Sequence, residues 1–205
     1  MQCSKTTSEG AFEDFLTEKG LTFEKIQEAA TPRPDYLVRA GDLELIFEVK
    51  ELADDDNFGV VSDPSRPDIR SHSNTIGDHV RRKIASSRKQ IRFAAEQGIP
   101  SVLLVYNNLD PLHMFGTENL DFISAMYGEP TLLLNRRTRA VEDAYHGRNQ
   151  SLREDRNTEF SAVGKLYPDG GKLAVKLFEN VFAQVKIPYE KMPACLELHR
   201  VEITQ

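Results

Sequence analysis

From Ser101 to Tyr106 the chain reads Ser-Val-Leu-Leu-Val-Tyr, an apolar run without alternation. A strand with one wet face alternates apolar and polar side chains, whereas a strand that does not alternate is covered on both faces. Whatever fold this chain adopts must therefore enclose one strand between two layers. Residues 76–97 predict one long helix that can serve as a layer, with Val80, Ile84, Ile91 and Ala95 as its buried stripe. Asn74 or Thr75 would cap it, and Gly98-Ile99-Pro100 would stop it. Residues 8–19 predict a second helix, with Phe12, Phe15 and Leu16 at helical spacing, Ser8 as N-cap and Gly20 as terminator.

Strands are expected at 21–26, 35–38 and 43–52. Thr31-Pro32-Arg33-Pro34 separates the first two and excludes helix there. Ala40-Gly41-Asp42 makes a hairpin turn into the third. Residues 53–75 are acidic, rich in Pro and Ser and aperiodic; loops of that length in a compact domain are functional or disordered. Beyond the apolar run, residues 117–127 predict a helix, 131–134 a strand and 135–157 a polar, arginine-rich region. Phe160–Tyr167, the turn Pro168–Gly171 and Lys172–Phe178 form a hairpin. Helix, strands, helix, strand is the order of an α/β chain with a mixed β-sheet flanked by helices.

With 205 residues the chain suits one domain with a real core. The net charge of -6 leaves no globally basic coat, so a nucleic-acid partner must be met by a local patch. Cys3 and Cys195 lie near opposite ends without ligand-like spacing, which excludes a disulfide framework or zinc site and suits a reducing cytoplasm. The first thirty residues hold no signal-peptide core and no stretch approaches membrane-span length, so a cytoplasmic protein without a membrane partner is expected. No Gly-rich phosphate loop or Walker motif is present, which excludes nucleotide hydrolysis by this chain alone. The lack of Trp argues against a glycosidase built on paired carboxylates, because few aromatics are left to stack on sugar rings.

The residues able to do chemistry gather around strand 43–52. Glu48-Val49-Lys50 ends the run Leu43-Glu44-Leu45-Ile46-Phe47, and no other lysine has an acidic residue two places earlier. Side chains two apart on a strand share a face, so Glu48 and Lys50 point together with Glu44 and Ile46, while Leu45, Phe47 and Val49 face a core opposite. If Asp35 opens the antiparallel neighbour, its carboxylate falls close to Glu48. Two hard oxygen donors plus water suit Mg²⁺, and an adjacent ammonium can orient a water or offset developing charge. The competing reading is an edge strand carrying an exposed ion pair among Glu44, Glu48 and Lys50.

Helix 8–19 adds Glu9 and Glu13. At 100° per residue Glu9 lies roughly 70° from the centre of the apolar stripe and Glu13 roughly 110°, so Glu9 is the better inward candidate. Either acid could instead simply complement the helix dipole. Helix 76–97 concentrates Arg81, Arg82, Lys83, Arg88, Lys89 and Arg92, which suits phosphate-backbone binding, a solvated basic face being the alternative. Gln90 lies off the buried stripe on the side of Lys83. Glu51, Asp54, Asp55 and Asp56 lead out of the triplet, and arginines 136, 137, 139, 148, 153 and 156 populate the later polar region. Histidines 72, 79, 113, 146 and 199 show no metal spacing.

Pro34-Asp35 followed by Glu48-Val49-Lys50, after a helix bearing Glu9, Phe12, Leu16 and Gly20, resembles the PD-(D/E)XK nuclease superfamily. Lys89-Gln90-Ile91 in a basic helix, with an apolar strand behind it, is similar to the elements that follow the triplet in many members; the resemblance covers roughly residues 8–106. It implies a restriction-endonuclease-like mixed sheet in a single domain 1–205, with a core at about 8–134 and a C-terminal β-hairpin extension at 135–205. It further implies a metal-dependent nuclease that hydrolyses phosphodiester bonds, in DNA, by a metal-activated water, with Mg²⁺ or Mn²⁺ as cofactor. By the same resemblance Asp35, Glu48 and the Val49 carbonyl would hold the metal, Lys50 would be the catalytic lysine, Glu9 an accessory helix acid and Gln90 an auxiliary residue. A homodimer is a further expectation. The rival from another class is a nucleic-acid- or protein-binding module that uses the fold without cutting.

Overall fold

Ten residues, Leu43–Leu52, alternate so that odd positions pack to one side of a sheet and even positions to the other, and both sides are covered. The computed structural model describes residues 5–27, 29, 31–53, 75–108 and 115–201. In chain order the elements are α1 (Thr7–Glu18), β1 (Thr22–Lys25), β2 (Tyr36–Ala40), β3 (Leu43–Leu52), α2 (Asp78–Ser86), α3 (Arg88–Ala95) and β4 (Ser101–Asn107). They continue with α4 (Asn119–Tyr127), β5 (Pro130–Leu134), β6 (Val141–His146), β7 (Ala162–Asp169), β8 (Lys172–Glu179) and β9 (Leu196–His199). Among the described residues seven strands form one mixed sheet in the order β1-β2-β3-β4-β7-β8-β9, while β5 and β6 pair only with each other. β1, β2 and β3 are antiparallel neighbours; β3, β4 and β7 run parallel; β8 returns antiparallel and β9 adds parallel to it.

Helices on both faces explain why β4 does not alternate: all seven of its residues are buried. On one face Phe12, Phe15 and Leu16 of α1 pack with Leu45, Phe47, Val49, Val102 and Leu104. The Phe12 ring centroid lies 5.0 Å from that of Phe47 and 5.5 Å from that of Tyr36. Each such fully buried side chain contributes about 1.5–3 kcal/mol. On the other face Ile84, Ile91 and Phe122 of α2, α3 and α4 cover Leu103, Val105 and Val163. No helix among the described residues is long and apolar enough to cross a membrane.

The structure departs from the sequence-based expectations in particular places. α1 is capped by Thr6 rather than Ser8, through a capping box in which the Thr6 hydroxyl accepts from the Glu9 amide and Glu9 accepts from the Thr6 amide. The long helix 76–97 is two helices, parted at Ser87 with φ -93° and ψ 0°. Its N-cap is Gly77 rather than Thr75, and Asn74 lies outside the described residues. Strand β6 arises within the region read only as polar, because all but its last residue are exposed and no burial period marks it. The hairpin of β7 and β8 is where the sequence puts it and extends the sheet beyond β4, turning at Gly170-Gly171 with φ +56° and +81°. Two adjacent positive φ values suit the twist of a two-residue hairpin, and glycine adopts them without strain.

Gly77 ties the start of α2 to α4. It takes φ +77°, its amide donates to Asp121 Oδ1 at 2.9 Å, and a Cβ there would sit 2.6 Å from the Asp121 carbonyl oxygen and 2.8 Å from the Ala125 nitrogen. Gly98 has a similar φ of +71° with nothing within 4 Å of the added Cβ. Gly77→Ala is expected to lose about 3 kcal/mol or more of unfolding free energy in urea, and Gly98→Ala only about 1 kcal/mol. Equal losses would show that the close approach to α4 does not matter.

Candidate active site

Pro34 keeps the chain extended into Asp35, the residue immediately before β2. There the Asp35 amide donates to the Phe47 carbonyl at 3.0 Å, and its carbonyl accepts from the Ile26 amide at 2.8 Å. With its backbone fixed from both neighbouring strands, Asp35 turns its carboxylate onto β3, where Oδ2 accepts from the Val49 amide at 2.7 Å. Glu48 precedes that amide and points to the α3 side. Its side chain is 1% exposed, Oε1 lies 2.6 Å from Lys50 Nζ, and Oε2 has no hydrogen-bond partner among the described residues.

β3 is an interior strand, so an exposed edge-strand ion pair is not what Glu48 and Lys50 form. Glu44 takes no part; it pairs with Arg39 at 2.9 Å. Burial, and next the Asp35 charge, push the Glu48 carboxyl up to about 7, with Lys50 opposing. Burial also raises the Asp35 carboxyl, against the pull of the Val49 amide and the Lys50 charge. When ionised, both carboxylates only accept hydrogen bonds, so a proton or a cation must join them.

Glu9, Asp35, Glu48, Lys50 and Gln90 line one open pocket between β1, β3 and α3. Glu13 is not at the pocket: it accepts from the Tyr36 hydroxyl at 2.8 Å and pairs with Lys5 at 2.8 Å. Of the two helix acids, Glu9 is the one placed at the site, and it is heavily engaged. Its Oε1 lies 2.6 Å from Lys25 Nζ, while Oε2 takes the Thr6 amide at 2.8 Å. Burial works to raise the Glu9 carboxyl, but Lys25 and Thr6 outweigh it and leave it below the ordinary value. Gln90 presents a buried Oε1 without a partner among the described residues.

Lys25 and Arg33 also line the pocket and were missed in the sequence. Lys25 ends a short, mostly exposed strand with nothing in its spacing to single it out. Arg33 lies between two prolines, and its guanidinium is held 5.3 Å from the Phe93 ring centroid of α3, a pairing of residues distant in sequence.

The basic residues of α2 and α3 divide between two sides. Arg82 and Lys83 line a neighbouring pocket with Leu52, His79 and Ser86, along the same face of β3 as Glu48. Arg81 turns the other way, donating to the Ile76 carbonyl at 2.7 Å and the Ser124 carbonyl at 3.5 Å. Arg92 faces Glu159 at 3.3 Å, Arg88 is half-buried with Nε unpartnered among the described residues, and Lys89 is exposed. Glu51 is engaged elsewhere: its Oε2 accepts from the Ser8 amide and its Oε1 from Asn108. Asp54, Asp55, Asp56, Cys3, His72 and His113 lie outside the described residues.

The pocket fits a hard divalent cation on its own terms. Two converging carboxylates supply charge, while the Glu48 and Gln90 oxygens are buried acceptors without a partner among the described residues. Among the described residues no group of three or more His, Cys, Asp or Glu side chains is arranged as a metal cage. Two carboxylates completed by water and substrate is a donor set Mg²⁺ uses. No family model matches the chain, and comparison with curated proteins and with solved structures gives no significant match.

Two outcomes are expected. Mg²⁺ or Mn²⁺ raises the melting temperature of the protein, and Asp35→Ala removes the increment; an equal increment in that variant would place the ion elsewhere. Without divalent ions, Glu48→Gln is more stable than the parent at pH 8 by about 1–3 kcal/mol. The sign follows from the folded pKa of about 7 lying above the unfolded value of 4.5. The folded state then binds the proton more tightly, and stability falls as pH rises through that window. The advantage of Glu48→Gln shrinks toward pH 5, which urea unfolding at the two pH values measures.

Proposed function

We propose that the chain is a divalent-metal-dependent nuclease of the PD-(D/E)XK kind, with a restriction-endonuclease-like fold, that hydrolyses phosphodiester bonds in DNA. The observation that carries this reading is the convergence of Asp35, Glu48 and Lys50 on one pocket, with a carboxylate oxygen buried and unsatisfied. Leaving such an acceptor unpaired costs about 1–3 kcal/mol or more, which a module that only binds has no reason to retain.

Hydrolysis of a phosphodiester needs a water held in line with the leaving oxygen, a place for its proton and compensation of charge on the phosphoryl oxygens. A divalent ion held by Asp35, Glu48 and the Val49 carbonyl would supply Lewis acidity toward the phosphate and the water. Lys50, about 29% exposed, reaches the open side of the pocket while tethered to Glu48, so its ammonium can orient the attacking water and offset negative charge. Gln90, on the α3 wall, offers amide protons to a phosphate oxygen or the water. Lys25 and Arg33 place cations at the pocket, where they can hold the flanking phosphates of a polyanion. Arg82 and Lys83 continue that positive character along β3.

Lys50→Ala is expected to cut cleavage by at least about 100-fold in a protein that still folds and still binds DNA, because the lysine acts on the reaction; loss of its ion pair with Glu48 shows separately as a changed melting temperature. The measurement is a panel of labelled duplex, branched and single-stranded DNA and RNA, with Mg²⁺, with Mn²⁺ and with chelator. Undiminished cleavage by Lys50→Ala would remove the mechanism.

A further inference from the structure

Strands β5 and β6 form a two-stranded ribbon that, among the described residues, joins no larger sheet. Its turn carries Arg136, Arg137 and Arg139, all exposed, and their side chains make no ion pair or hydrogen bond among the described residues. The turn itself is tightly closed. Asn135 Oδ1 accepts from the amides of Arg137 at 2.9 Å and Thr138 at 3.0 Å, and Asn135 also exchanges backbone bonds with Arg139 and Ala140. Arg139 sits at φ +57°, a conformation a non-glycine residue adopts only when its surroundings hold it there. Three unpaired guanidinium groups are thus presented from a fixed tip, on a chain whose net charge is -6.

Behind the tip one face of the ribbon is apolar and bare. The register pairs Leu132 with Ala144 and Leu134 with Val141, and Leu132, Leu134 and Val141 are 60%, 55% and 58% exposed. The acids of the ribbon are engaged within it: Glu142 accepts from the Asn135 side-chain amide, and Asp143 accepts from the Ala144 amide. A lone two-stranded ribbon is marginal in water, so a bare, wet apolar face calls for an occupant.

We propose that the β5–β6 ribbon is an arm that enters the major groove of B-form duplex DNA, arginine tip first. The choice of DNA rests on the nuclease reading above. The choice of the duplex form rests on shape and charge. A two-stranded ribbon fits a groove about 12 Å wide and about 8.5 Å deep, and a five-residue strand of roughly 17 Å reaches its floor. The narrow major groove of A-form RNA does not admit it. Arginine is the side chain that pairs guanine edges bidentately and phosphates equally well, and exposed Leu and Val match thymine methyl groups.

The test compares the full-length protein with the triple variant Arg136→Gln, Arg137→Gln, Arg139→Gln by fluorescence anisotropy, in chelator, on duplex DNA and on duplex RNA of matched sequence across a salt series. The positions are exposed, and an unchanged melting temperature verifies folding. The expected result is at least a tenfold loss of DNA affinity, a salt slope shallower by about 2–3, and little change on RNA. Unchanged DNA affinity and slope, an equal loss on both duplexes, or no measurable DNA affinity of the parent protein overturns the proposal. So does a triple variant that binds DNA normally while Leu132→Asp with Leu134→Asp halves the mass in sedimentation, since the apolar face would then serve a second copy of the chain. The two readings fail separately. Loss of DNA binding in the triple variant alongside full cleavage by Lys50→Ala leaves the arm standing and the nuclease mechanism refuted; the reverse pattern refutes the arm alone.

Discussion

The burial of the Glu48 carboxylate in the interior of the sheet is the constraint around which this molecule is arranged. A charge placed there would ordinarily be neutralised or expelled. Lys50, two residues on and on the same face of the strand, supports it, while Asp35, held beside it by the Val49 amide, works against it. Glu48 and Asp35 therefore lean chiefly on one ammonium, Lys50, although the pocket lining as a whole sets three acids against three cations. That local imbalance is a liability for stability and an asset for binding a hard cation, and the two follow from the same atoms.

The imbalance can be sustained because the rest of β3 is packed on both sides. Leu45, Phe47 and Val49 are clamped under the α1 aromatic cluster, while Leu52 joins the core beneath α2, α3 and α4. A strand anchored at alternate residues cannot slip in register without turning its apolar set to the wrong side. Glu48 and Lys50 are consequently held toward α3, with Gln90 facing them. The antiparallel β2 on one flank and the parallel β4 on the other fix the strand laterally, so Asp35, at the entry to β2, arrives beside β3 by topology.

Much of this was legible in the sequence, and what was legible has a common physical character. The bounds of β3, the two-sided burial of β4 and the helical stripe of Phe12, Phe15 and Leu16 are periodic signals carried by neighbours in the chain. Asp35, Glu48, Lys50, Glu9 and Gln90 do line one pocket, since strand alternation and helix angle already fix which way such side chains point. What escaped depends on contacts across the fold. Lys25 matters only because β1 lies next to the capped start of α1. Arg33 matters only because Phe93 stands under it. The break at Ser87 carries no glycine or proline to announce it, and β6 has no burial period because nothing covers it. The six basic residues of the helix segment read as one cluster in sequence, yet helical geometry splits them, so that Arg81 and Arg92 serve α4 and Glu159 while Arg82 and Lys83 lie along β3.

That split bears on how an acidic chain can hold a polyanion at all. Screening in physiological salt limits the reach of exposed charge to about 8 Å, so the overall charge of -6 neither repels nor attracts a bound strand as a whole. What matters is which cations lie within that distance of the phosphates. Lys25, Arg33 and Lys50 gather at the pocket, Arg82 and Lys83 extend the line along β3, and the ribbon turn presents Arg136, Arg137 and Arg139. Acidic residues elsewhere, such as Glu24 and Glu44 flanking Arg39, are spent on their own surface pairs. Local segregation of sign, and not total charge, is therefore the electrostatic property by which this protein could meet nucleic acid.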